Sequence, residues 1–190
     1  MRRDNTERRT TFVNILKEYF PNEVISLEVG CAAGDFSDII IKTLKIEQHY
    51  MVDPWITEGD DLRSQWFSNN NPAEISYNFV LDRFKDKPVT IIREYSKEFL
   101  TIAKTNELTF DFIYIDGDHH SVPVYLDLLL SYDLLKPGGI LAGDDYNWVS
   151  RKTNLQEVKL GVDLFQQKLN LEAKIIKGDN QGLDQYYFTK

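Results

Sequence analysis

The chain has 190 residues, of which 42% are hydrophobic and 27% charged, and a formal net charge of −8 at pH 7. That length suits one domain with a core of its own, and the acidic balance excludes sequence-independent nucleic-acid binding, which rests on phosphate neutralisation by lysine and arginine. Cys31 is the only cysteine, which excludes an intrachain disulfide and a thiolate zinc cluster; no apolar run approaches the roughly 20 residues of a membrane span and no apolar leader follows Met1, so a cytoplasmic protein is expected.

Taken in order, Arg2, Arg3, Arg8 and Arg9 form a basic cluster that reads as a solvated, frayed end rather than an anion contact. Helical spacing of Phe12, Ile15, Leu16 and Phe20 predicts a first amphipathic helix, ended by Pro21 and Asn22. Residues 24–29 read as a strand, and after a glycine turn at 30–34 a second helix carries Phe36, Ile39, Ile40 and Leu44 on one face. Residues 49–52 form a strand stopped by Asp53 and Pro54. The segment 55–71 is polar, Asn-rich and longer than a usual α/β connection, which makes it a candidate lid.

Pro72 suits the first turn of a helix bearing Ile75, Phe79, Val80 and Phe84, and a strand follows at 89–92. Ser96 is placed to cap the next helix, which leads to a strand at 110–115. Residues 122–135 form a strongly apolar helix, a turn at 136–139 feeds a strand at 139–142, and a helix at 155–169 precedes two short strands at 173–176 and 186–189. Strand and helix alternate about five times and end in a hairpin. The expected fold class is therefore α/β, a doubly wound, mostly parallel seven-stranded sheet with an antiparallel hairpin at its C-terminal end.

In such sheets ligands bind beyond the carboxyl ends of the strands, and the polar motifs fall there. Asp116 ends one apolar strand, and Asp144 and Asp145 end the next. Three carboxylates brought to one edge repel each other unless a cation or proton intervenes, so a divalent metal is the natural counter-charge. Oxygen-only ligation suits magnesium, with manganese able to substitute. Glu28-Val29-Gly30-Cys31-Ala32-Ala33-Gly34-Asp35-Phe36 forms the first strand-to-helix turn, where small residues admit a ligand close to the backbone; the three-glycine dinucleotide fingerprint is absent, which disfavours a dehydrogenase. Asp53 is placed to accept hydrogen bonds from ribose hydroxyls, and Glu28 to balance an ammonium or sulfonium charge.

The segments EVGCAAGDF, VDPW, IDGDHH, LLKPGG and AGDDY resemble the class I S-adenosylmethionine-dependent methyltransferases, specifically the group that includes the sugar O-methyltransferases of macrolide and aminocoumarin biosynthesis. The likeness runs from Val24 to Lys190. It implies a Rossmann-like methyltransferase fold in which Glu28, Gly30, Cys31, Ala32, Gly34 and Phe36 line the methionine end of S-adenosyl-L-methionine, Asp53 holds the ribose, Ser96 lies beside the adenine and Asp116 borders the cofactor. It also implies that Asp116, Asp144 and Asp145 ligate Mg2+.

A neutral hydroxyl is a weak nucleophile, so methyl transfer to oxygen needs a base. Asp118 and His119 are the two candidates; Asp118 either takes the proton itself or orients the imidazole of His119. The implied acceptor is a hydroxylated small molecule, a sugar or glycan, and Trp55, Trp66 and Trp148 are candidates to cover it. The acceptor pocket is either open or completed by a second subunit. Two other readings stand beside this one: a metal-independent methyltransferase acting on another acceptor, and a non-catalytic nucleoside-binding interaction subunit.

Overall fold

The computed structural model describes residues 6–56, 72–178 and 183–190. Thirteen elements follow in chain order: α1 (Thr6–Tyr19), β1 (Val24–Val29), α2 (Asp35–Thr43), β2 (Ile46–Val52), α3 (Pro72–Phe84), β3 (Val89–Ile92), α4 (Ser96–Thr105), β4 (Phe110–Ile115), α5 (Ser121–Leu134), β5 (Leu135–Gly143), α6 (Glu157–Leu169), β6 (Lys174–Ile176) and β7 (Gln185–Thr189). The seven strands form one sheet in the order β3-β2-β1-β4-β5-β7-β6. All neighbours are parallel except the pairs made by β7, which runs antiparallel to both β5 and β6. The expected α/β sheet with its terminal hairpin is what forms.

Side chains alternate across the central strands and feed two separate cores, as a sheet covered on both faces requires. Leu27 and Val29 of β1, Ile113 and Ile115 of β4 and Leu141 of β5 join the cluster under α4, α5 and α6. Phe112 and Tyr114 of β4 and Ile140 and Ala142 of β5 join the opposite cluster, beneath α1 and α2. Among the described residues, no helix is long and apolar enough to cross a membrane.

The face that α1 buries keeps Phe12, Leu16 and Phe20 of the expected set but turns toward Val13 in place of Ile15. Phe12, Val13 and Leu16 are fully buried, whereas Ile15 is 42% exposed. The Phe12 ring lies 6.1 Å from each of Phe112, Tyr114 and Tyr187, so the helix is docked across the middle strands. A similar shift affects α3: Val80 and Phe84 are buried, but Ile75 and Phe79 lie outside. The expected turn at 136–139 is also different, because β5 begins at Leu135 and runs through it, with a register irregularity against β4. Gly138 N and Gly139 O pair there with the backbone of Lys190, so this segment is hydrogen-bonded sheet rather than free turn. The candidate lid lies, from residue 57 onward, outside the described residues, and Trp66 with it.

The register matters most for function. Val29 pairs with Ile115 and Ile115 with Gly143, so β1, β4 and β5 end level. The ladder continues one residue further, from Asp116 N to Val29 O at 2.8 Å and from Asp144 N to Ile115 O at 3.2 Å. Replacing Phe12 with alanine removes the ring that fastens α1 to this sheet. Urea unfolding of Phe12→Ala is expected to show a loss of about 3–5 kcal/mol, the usual cost of deleting a fully buried aromatic side chain.

Candidate functional site

Gly30 continues β1 with φ 87°. A side chain there would overlap the carbonyl and carbon of Asp116 and the Cα of Gly117, so glycine is required by the approach of the next strand's end. The turn closes through Gly34 N to Cys31 O at 2.7 Å, and Ala32 and Gly34 also take positive φ values of 47° and 75°. Asp53 fastens the turn to the end of β2: its Oδ2 accepts from Ala32 N at 2.9 Å and its Oδ1 from Trp55 N at 2.8 Å. Both carboxylate oxygens of Asp53 thus point at the end of β2 and the turn, the edge where a carboxylate can accept from a diol.

Trp55 is not an acceptor cover. It is 4% exposed and its indole N–H donates to Ala32 O at 2.8 Å, which makes it a brace for the turn. Cys31 is buried in the cluster with Met51, Trp55, Val80 and Phe84, so only its backbone faces the turn. Phe36 is buried too, with its ring centroid 4.1 Å from that of Tyr114. Ser96 lies at the start of α4, but its hydroxyl does not cap the helix. It donates to Asp127 Oδ1 at 2.7 Å, and burial pushes the Asp127 carboxyl up to about 6.

Glu28 is 1% exposed and belongs to a buried polar chain. Ser37 Oγ donates to its Oε2, His49 Nε2 lies 3.0 Å from Ser37 Oγ, and His49 Nδ1 lies 2.8 Å from Ser26 Oγ. Burial raises the Glu28 carboxyl to about 8, against the opposing hydrogen bond from Ser37 and the charge of Arg9. Burial also pushes His49 down to about 3. Both groups are therefore neutral near pH 7 in the protein without ligand.

The acidic residues separate into three settings. Asp144 has a side chain only 1% exposed, and its Oδ2 accepts from Arg9 Nε at 3.1 Å and Nη2 at 2.9 Å. Arg9 Nη2 also reaches Asp116 Oδ2 at 2.5 Å, and its guanidinium lies 5.3 Å from the centre of the Phe36 ring. Burial opposes the charge on Arg9, but Asp116, Tyr114 and Asp144 more than offset this and keep it firmly protonated. Asp116 Oδ1 and Asp145 Oδ2 lie 3.5 Å and 3.1 Å from His119 Nε2, and the Asp116, His119 and Asp145 donor atoms all lie within 4.8 Å of one another. Asp145 has a left-handed φ of 59°. Asp118 stands apart, its Oδ1 accepting from His120 N at 2.9 Å and lying 2.5 Å from His120 Nδ1.

Asp118 therefore orients His120, not His119. The residues gathered as candidate metal ligands are Asp116, His119 and Asp145, with Asp144 held by Arg9 instead. Two carboxylates and an imidazole at this spacing fit a divalent cation at ordinary ligand distances. Arg9 is the residue that sequence reading missed, because a basic cluster near the start resembles a solvated end. Its signal was present: positions 9, 12, 13 and 16 fall on one helical face. Trp148, whose ring lies 5.3 Å from that of His119, is the described tryptophan that borders the cluster.

The described structure is similar along 98% of its length to an O-methyltransferase from Bacillus cereus in complex with S-adenosylhomocysteine, with a TM-score of 0.70, 15% identity and 83% of that chain covered. It is likewise similar to the N-methyltransferase NodS of Bradyrhizobium japonicum in complex with S-adenosylhomocysteine, with a TM-score of 0.66 and 15% identity over 99% of this chain and 89% of that one. These likenesses establish a Rossmann-like methyltransferase fold. An uncharacterized protein of Acanthamoeba polyphaga mimivirus is 24% identical over 135 residues, 70% of this chain and 56% of that protein, so the chain spans little more than half of that relative. Residues 27–146 match the Methyltransferase domain family, and the chain belongs to it.

The buried Glu28 and His49 set a pH signature for the ligand-free protein. A carboxyl raised to about 8 binds its proton more tightly when folded, so it costs stability as pH rises from its unfolded value of 4.5 to 8. An imidazole lowered to about 3 does the reverse between 3 and its unfolded 6.5, so the two effects oppose each other below pH 6.5. Between pH 6.5 and 8 the Glu28 cost stands alone and amounts to about 2 kcal/mol. Chemical unfolding across that window is expected to show this loss in the native chain and to lack it in Glu28→Gln.

Proposed function

We propose that the protein is an S-adenosylmethionine-dependent O-methyltransferase that uses a divalent cation to methylate a hydroxyl of a small molecule, with a sugar or glycan as the acceptor class. The observation that carries this reading is the level ending of β1, β4 and β5, which sets the glycine turn beside the cluster of Asp116, His119 and Asp145. The Methyltransferase domain match over residues 27–146 spans both parts. The resemblance of IDGDHH and AGDDY to the sugar O-methyltransferases supports the acceptor class.

In this reading the backbone of Gly30, Ala32 and Gly34 lines the methionine end of the cofactor and the Asp53 carboxylate accepts from the ribose hydroxyls. Ser96 and Asp127 border the adenine side. S-adenosylmethionine, when bound, supplies an electrophilic methyl group. Asp116, His119 and Asp145 would hold the cation, magnesium or manganese, which when bound supplies the Lewis acidity that lowers an acceptor hydroxyl's pKa. Asp118 then takes the acceptor proton, with His120 positioning its carboxylate, and Trp148 offers a flat apolar wall to a sugar ring. The chain's main contribution is alignment, because a displacement at carbon demands that nucleophile, methyl and leaving sulfur be in line.

A second reading is favoured by the same short contacts of His119. With carboxylates 3.1 Å and 3.5 Å from its Nε2, His119 is held beside the acidic cluster, where its neutral imidazole would take the acceptor proton without a metal. Chelator treatment separates the two: the metal reading expects turnover to fall at least tenfold and return with Mn2+, and undiminished turnover refutes it.

Calorimetry with S-adenosylhomocysteine is expected to show saturable micromolar binding, weakened on the order of 10- to 100-fold in Asp53→Ala by loss of the charged ribose acceptor. Absence of binding by the unaltered chain would overturn the methyltransferase reading itself.

A further inference from the structure

Metal-assisted chemistry at a carboxylate cluster presupposes that the cluster has negative charge to offer. Here a protein cation already occupies part of it. Arg9 contacts Asp144 through two nitrogens and Asp116 through one of them, at 2.9, 3.1 and 2.5 Å. Its side chain is only 17% exposed. The guanidinium lies over the Phe36 ring, and α1 is fastened to the sheet by Phe12, Val13 and Leu16 on the same helical face, so this is a docked contact and not a passing one.

Resting on the metal reading above, we infer that Arg9 is a resident counter-cation that competes electrostatically with the divalent ion for the strand-end carboxylates. It closes an inner pair, Asp144 with Asp116 Oδ2, and leaves Asp116 Oδ1, Asp145 and His119 as the outer set that takes the metal. The ion thus enters a cluster whose charge is partly neutralised, and binds more weakly than the count of aspartates implies. Its ligand set also includes an imidazole, which shifts preference from magnesium toward manganese and later first-row ions. Arg9 is a positioning residue: it acts on the site through the two aspartates.

The consequence runs against the usual expectation that removing a contact at a binding site weakens binding. Removing the guanidinium takes away a positive charge a few ångströms from the metal and leaves two carboxylates without that partner, so divalent affinity should rise about tenfold or more. Titration of the full chain with Mn2+, following free ion by electron paramagnetic resonance, reads this without any acceptor or turnover. Arg9→Gln, which keeps hydrogen bonding but not charge, and Arg9→Met are both expected to bind Mn2+ more tightly than the native chain, while Arg9→Lys stays within about threefold of it.

Equal or weaker Mn2+ binding in folded Arg9→Gln, against measurable binding by the native chain, overturns the role of Arg9 and leaves the metal reading standing. Failure of the native chain, Arg9→Gln and Arg9→Lys alike to bind millimolar Mn2+ overturns both. Near-ultraviolet circular dichroism of Arg9→Gln and Arg9→Lys confirms that α1 remains docked, since Phe12 of α1 packs against Tyr114 and Tyr187 of the sheet.

Discussion

Carboxylates at the ends of adjacent parallel strands repel one another, and the strands cannot move apart to relieve it. β4 and β5 are held by a hydrogen-bonded ladder that is regular from Phe112 to Ile115 and whose last rung lies at Asp144 N itself. The repulsion has to be met by positive charge brought from elsewhere, and in this chain it comes from Arg9 on α1, 107 residues before Asp116 and 135 before Asp144. Docking of the first helix is therefore an electrostatic event as well as a hydrophobic one. Phe12 supplies the burial, and Arg9 makes the sheet's carboxyl edge tolerable at low dielectric.

The opposite strategy operates a few residues away. Glu28 has no strong counter-ion at hydrogen-bond distance among the described residues and is instead kept neutral by burial, hydrogen-bonded to Ser37 in line with His49. One site thus contains a carboxylate paired with a guanidinium and another kept neutral by its surroundings. Such divergent treatment of neighbouring acids commonly marks functional sites, and it fits a pocket that must accommodate a cationic cofactor beside an acidic cluster.

Much of this was legible in the sequence. The bounds of β1, β3 and β4 follow directly from short apolar runs closed by Gly, Pro or Asp, because a strand buried on both faces leaves a continuous signal. Adjacency of Asp116 and Asp144 followed from topology alone. What escaped was detail that pattern cannot encode. Helices α1 and α3 carry more apolar residues than they bury, so spacing allowed more than one face and the tertiary contacts chose. Ser96 satisfies the composition of a cap yet finds a buried carboxylate instead. Asp118 and His119 are sequence neighbours with equal claims, and only the local turn sends one toward His120 and the other toward Asp145. Arg9 escaped because its partners lie more than a hundred positions away.

The absence of a side chain at Gly30 joins two functions that would otherwise be adjusted separately. Its backbone sits against that of Asp116, so the glycine turn and the strand end that carries the acidic cluster are in effect one rigid part. Alignment is then a property of the main chain, indifferent to most side-chain substitutions around it. In the proposed reading, the acceptor can change through the loop beyond Asp145 while the turn and the strand end stay set. A scaffold built this way can diversify its clientele without relearning its chemistry.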